Sequence, residues 1–108
     1  ARAHDRHAAF ISHMPHLVSF AIANSVLAQE DREAIVALAA SGFKSMSRLA
    51  KSNPRMWSDI FQENRENLLK AVEAFQGEWE RARRLIEEEK WRELEEWMWN
   101  GNRLSEIM

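Results

Sequence analysis

The sequence has no cysteine. That removes disulfides, thiolate nucleophiles and thiolate-held metals, and it accords with a reducing, cytoplasmic setting. Glycine and proline are scarce, three and two residues in 108. With so few turn formers, and with Ala, Leu, Glu and Arg dominating, the composition predicts an all-α chain with few loops. An excess of one charge is also missing. The 15 basic and 17 acidic residues leave a net charge of −2 and are interspersed, so no global field draws nucleic acid. No run of apolar residues approaches the roughly eighteen of a membrane span. The longest apolar zone, Leu17 to Ala28, is interrupted by Ser19, Asn24 and Ser25.

A chain of this length is one domain at most, residues 1–108, with a modest core whose stability is marginal unless a partner covers more surface. Its opening, "ARAHDRH", has no initiator methionine and no signal-peptide pattern. It enters helical periodicity almost at once, so the chain reads as a piece cut from a longer protein.

The periodicity predicts a first helix over about Asp5 to Leu27, capped by Asp5. Beyond Pro15 it is apolar on nearly every face, the pattern of a helix buried all round. Pro15 removes a backbone bond and clashes with the carbonyl four residues back, so the helix is expected to kink there, or to end and restart. A second helix is expected over Arg32 to Ser41, capped by Asp31 and stopped by a left-handed Gly42, then a short one over Ser45 to Ala50. Asn53 with Pro54 gives a strong start signal. From there to about Trp99 no strong stop appears, and Leu68, Val72, Phe75, Trp79, Ala82 and Ile86 form a coiled-coil-like seam. "NGN" at Asn100 to Asn102 is expected to end the last helix and leave a loose tail. A single helix over Asn64 to Glu89 would be roughly 39 Å long, longer than the roughly 34 Å diameter of a compact monomer. It must break, near Gly77, or pack against a second chain. Both length and the apolar first helix point to an intertwined homodimer.

All four histidines fall in "HDRHAAFISHMPH". His4 with His7, and His13 with His16, share helix faces at a spacing of three and could each offer two nitrogens to a metal. Helical zinc signatures usually add a carboxylate base and a third ligand, and here Asp5 lies on a different face from its neighbours, so metal is the weakest option. As pocket residues, His13, His16 and Ser12 flank the proline and offer hydrogen bonds to an anionic or hydroxylated ligand. As structural residues, the same histidines would be half-buried and bonded to backbone. In "GFKSMSRLAKSNPRMW", Arg48 can fork onto a carboxylate with Lys44 adding charge, or can be simply solvated. Met56 and Trp57 suit either core packing or a pocket wall. "RARRLIEEEKWRELEEWMWN" reads as an amphipathic helix with ion pairs rather than a nucleic-acid or membrane binder. Four tryptophans from Trp79 onward suggest an interface.

The order "HDRHAAFISHMPHLVSFAIAN", then "SGFKSMSRLAKSNPRMWSDIFQENRENLL", closely resembles the C-terminal domain of prephenate and arogenate dehydrogenases, over about Ala3 to Phe75. The resemblance implies a two-domain enzyme with an N-terminal Rossmann domain for NAD (or NADP) and an all-helical, dimerising C-terminal domain. Such enzymes oxidise prephenate with NAD and release carbon dioxide as the ring becomes aromatic, giving 4-hydroxyphenylpyruvate for tyrosine synthesis. The family's catalytic histidine belongs to the N-terminal domain. No G-x-G-x-x-G fingerprint occurs here, so the chain alone is expected to bind no cofactor and to be inactive. By resemblance, Arg48 grips a substrate carboxylate and His16, in "SHMPH", contacts substrate or inhibitory tyrosine. His13 and Ser12 lie on the same wall, Met56 and Trp57 line the pocket, and Lys44 adds charge. Ser45 stands where the family usually has a carboxylate, and "AASG" replaces its glycine-rich approach. The rival reading is a non-enzymatic helical homodimerisation module in which the histidines are structural.

Overall fold

The computed structural model describes residues 2–108. Its helices run in the order α1 (Arg2–Ala8), a π-helical segment (Ala9–His13), α2 (Met14–Leu27), α3 (Arg32–Ala37), α4 (Ser41–Leu49), α5 (Pro54–Glu63), α6 (Arg65–Glu87) and α7 (Trp91–Glu106). No strand occurs among the described residues, so the architecture is all-α. The chain gathers into two compact units, Ala1–Ala71 and Val72–Met108.

In the first unit, helical structure is continuous from Arg2 to Leu27. Proline does not stop it. The turn before Pro15 widens into a π-helix, in which the Met14 N–H reaches back five residues to the Ala9 carbonyl. A widened turn makes room for a ring that would otherwise strike the preceding carbonyls. Asp5 therefore sits inside the helix, in its first turn, and does not cap it.

The expectation of burial all round is corrected as well. Beyond Pro15, Ser19 is buried but Leu27 is 55% exposed. One chain covers only one stripe of this helix. A window of Ala3–Leu27 reaches a mean hydropathy of 1.2, which makes the helix long and apolar enough to cross a membrane by length and composition alone. The interrupting Ser and Asn residues suggested otherwise, but Phe, Ile, Leu and Val outweigh them in the average.

The next helices also differ from expectation. Helix α3 ends at Ala37 rather than Ser41. The backbone turns extended at Ala40 (φ −106°, ψ −178°), and α4 starts at Ser41 with Gly42 in its first turn rather than as a left-handed stop. Asp31 holds the N-cap position of α3 but its side chain caps nothing. Asn53 does cap α5: its Oδ1 accepts from the N–H groups of Arg55 (2.9 Å) and Met56 (3.2 Å), with Pro54 next in the chain.

Two stops were not foreseen between Pro54 and Trp99. Asn64 separates α5 from α6 with φ −125°. Helix α6 then runs 23 residues, about 34 Å, straight through Gly77. It ends at Glu87, and two residues on Glu89 takes a left-handed φ of 54°. There the Lys90 N–H reaches the Leu85 carbonyl (2.8 Å) and the Glu89 N–H the Ile86 carbonyl (3.1 Å), the bonding of a Schellman stop without its customary glycine. A Cβ in this region is strained. Glu89→Gly is therefore expected to raise stability by about 0.5–1 kcal/mol, read as a higher urea midpoint with an unchanged slope.

In the second unit, α7 continues through Gly101 to Glu106, so "NGN" is not its end and the tail is helical. Phe75 and Trp79 stack within α6 at 6.1 Å. The Trp97 Nε1–H donates to Glu78 (2.8 Å). No residue of α7 is buried, and Trp79, Trp91 and Trp99 are more than half exposed.

Candidate functional site

The site is an aromatic and imidazole cluster in the first unit. It begins with a helix start. Asn53 and Pro54 set the register of α5, and Trp57, whose N–H meets the Asn53 carbonyl at 3.1 Å, falls on its inward face. Trp57 is the most deeply buried aromatic of that helix, 8% exposed. The His16 ring lies flat on it, with centroids 3.7 Å apart and planes 20° off parallel. The His13 ring meets the same indole edge-on at 6.1 Å and Phe61 at 6.4 Å. Phe61 closes the cluster at 5.7 Å from Trp57. A spacing of three between His13, the last residue of the π-helical segment, and His16 on α2, and of four on α5, brings these rings together.

The hydrogen bonds define the two imidazoles differently. The Nδ1 of His16 lies 2.9 Å from the Ser12 carbonyl. A carbonyl only accepts, so Nδ1 carries the proton and Nε2 is the free nitrogen. The ring can accept through Nε2 when neutral, or donate to an anion when protonated. His13 differs. Its pKa is pushed below the ordinary value, first by desolvation and next by the charge of His16, with Asp5 acting the other way.

The basic residues arrive on α4, which packs on α2. The pin is Ser19, the one fully buried side chain of α2, whose hydroxyl donates to the Met46 carbonyl at 2.7 Å. Lys44 and Arg48 are both exposed and lie four residues apart on one face of α4. Arg48 has no hydrogen bond or ion pair among the described residues, so its five donors are unspent.

Of the residues singled out from sequence, the structure brings His13, His16 and Trp57 into contact. Ser12 joins through its backbone carbonyl, while its hydroxyl has no hydrogen bond among the described residues. Met56 is 51% exposed at the start of α5 and makes none of the ring contacts. His4 and His7 are exposed on α1, and among the described residues no three of His, Asp or Glu converge as metal ligands. Sequence reasoning overlooked Ser19, Phe61 and Asn64. A lone serine in an apolar helix was a usable signal for the first. Asn64 carried none, because its partners are Asp5 and His13, more than fifty residues away.

The described residues hold no strand leading into a glycine turn and helix, so nothing here cradles a pyrophosphate.

Comparison with known proteins agrees with the motif reading. The family model described as "Prephenate dehydrogenase, dimerization domain" matches residues 1–100, well past Phe75, where the motif resemblance fades. The chain is 32% identical over 87 residues to a prephenate dehydrogenase of Bacillus subtilis, covering 80% of this chain and 24% of the relative. It is 33% identical over 88 residues to a cyclohexadienyl dehydrogenase of Zymomonas mobilis, covering 80% and 30%. Among solved structures it superposes on the prephenate dehydrogenase of A. aeolicus in complex with hydroxyphenyl propionate and NAD+. The TM-score is 0.87 at 34% identity, over 99% of this chain and 38% of that one. The arogenate dehydrogenase of Synechocystis gives 0.88 at 30% identity, over 95% and 39%. The chain thus spans well under half the length of the relatives it matches. A family match across nearly the whole sequence, with the same helical fold, shows that the chain belongs to the prephenate dehydrogenase dimerization-domain family.

Proposed function

We propose that this chain is the C-terminal domain of an NAD-dependent prephenate dehydrogenase, that it pairs with a second copy, and that it supplies the substrate's carboxylate contacts. The observation that carries the reading is the cluster of His13, His16 and Trp57, in a chain whose family names the reaction. Prephenate bears two carboxylates and a ring alcohol. An Arg48 with unspent donors suits a carboxylate, and a free Nε2 on His16 suits a carboxylate or hydroxyl. Ser12, Lys44 and Met56 complete the wall. NAD, the catalytic histidine and the Rossmann fold belong to an N-terminal domain outside this sequence, and the setting is cytoplasmic.

The intertwined homodimer rests on exposed apolar surface: Ile11 and Leu27 on the first helix, and Trp79, Trp91 and Trp99 beyond it. A second copy would also support the unbroken α6. The test uses the full-length protein. NADH should appear when NAD and prephenate are supplied together, and sedimentation should give twice the chain mass. A dimer that yields no reduced cofactor with prephenate or arogenate, with NAD or NADP, would favour the pure dimerisation module.

A further inference from the structure

We infer that Asn64 is a positioning residue for this site: its carboxamide, anchored on the Asp5 carbonyl, holds His13 as a neutral imidazole with its proton on Nε2. The Asn64 Nδ2 lies 2.8 Å from the Asp5 carbonyl oxygen and 3.3 Å from His13 Nδ1. Its Oδ1 accepts from Asn67 Nδ2 at 2.9 Å. Flipping the amide would set two carbonyl oxygens against each other at Asp5, so the nitrogen must face that way. Its second hydrogen then points to His13 Nδ1, which has to accept, and the ring's proton goes to Nε2.

Three parts of the fold meet at this one side chain. Asp5 is on α1, His13 closes the π-helical segment, and Asn64 is the joint between α5 and α6. The groups facing His13 are Trp57 and Phe61 from α5, which carry no charge, together with His16 and Asp5. A protonated His13 would turn an N–H toward the Asn64 amide hydrogens, a clash that adds to the burial and the His16 charge already lowering its affinity for a proton. The pair thus divides its work. His13 offers a donor at Nε2, and His16 keeps its proton on Nδ1 and leaves Nε2 to accept. Its use in gripping a ligand rests on the reading proposed above, whereas the tautomer does not.

Nitrogen-15 NMR of the histidine rings in the full-length protein tests this without substrate, so its outcome is separate from that of the NADH assay that tests the proposed function. His13 should show the Nε2–H tautomer and titrate below the ordinary value near 6.5. Asn64→Asp should move that titration upward by one unit or more, and Asn64→Ala should let both tautomers appear. A wild-type His13 protonated on Nδ1, or titrating at or above the ordinary value, overturns the inference even if neither variant folds. So does an Asn64→Asp protein whose His13 titrates unchanged. The sign for stability follows. The unfolded chain takes up this proton first, so the contribution is whole above about pH 6.5 and is lost as pH falls through the folded value.

Discussion

Replacing Trp57 with alanine is expected to cost about 3–5 kcal/mol of stability, the range for truncating a buried tryptophan. The indole is 8% exposed and touches three other rings: His16 face to face, His13 edge-on and Phe61 at a tilt. No other side chain in the first unit joins so many aromatic neighbours. Its removal leaves a void between α2 and α5 that rigid helices close poorly. A domain of this size has roughly 5–15 kcal/mol in total, so the loss is a large fraction. At roughly 4–8 °C per kcal/mol, the Tm should fall on the order of 20 °C. Trp57→Phe should fall much less, since a ring remains for His16 to lie on. A Tm within two or three degrees of wild type in Trp57→Ala, by calorimetry, would contradict this account of the cluster.

Arg48→Ala should behave in the opposite way, leaving the fold alone and damaging the proposed function. The side chain is exposed and unpaired among the described residues, so its loss should shift stability by no more than about 0.5 kcal/mol. A charged, forked hydrogen bond to a carboxylate is worth about 2–3 kcal/mol when removed. In the full-length enzyme kcat/KM for prephenate should drop roughly 30- to 160-fold, mostly through KM. Arg48→Lys should restore little, because an ammonium keeps the charge without the planar fork. Steady-state kinetics on folded variants decides it: an unchanged KM for prephenate in Arg48→Ala removes Arg48 from the site.

The two variants also separate two kinds of residue. Trp57 is held by its neighbours and serves the fold as much as any ligand. Arg48 is held only by its helix, and that helix by Ser19 and the Met46 carbonyl.

Where local chemistry decides a feature, the residues were legible. Asn53 and Pro54 specify the start of α5 because the cap acts within three residues of itself. The paucity of glycine and proline announced an all-α chain. The motifs around His16 and Arg48 were enough to place the family. Features decided by competition between distant parts were not legible. Pro15 could have kinked or ended its helix, and which outcome wins depends on how the neighbouring turns pack; here a π-helical turn absorbs the ring. Gly42, Gly77 and Gly101 are all inside helices, since a glycine permits a stop without requiring one. The real stop at Glu89 uses a residue that sequence rules place elsewhere.

What the sequence determined by itself, then, was the class of fold, the family and the residue types available to bind an anion, because helix propensity, capping and motif spacing are all short-range. What the tertiary structure added was the polar atom that faces the ring of His13. A tautomer is set by whatever polar atom faces the ring: for His16 that atom is four residues away, at Ser12, and for His13 it is fifty-one residues away, at Asn64.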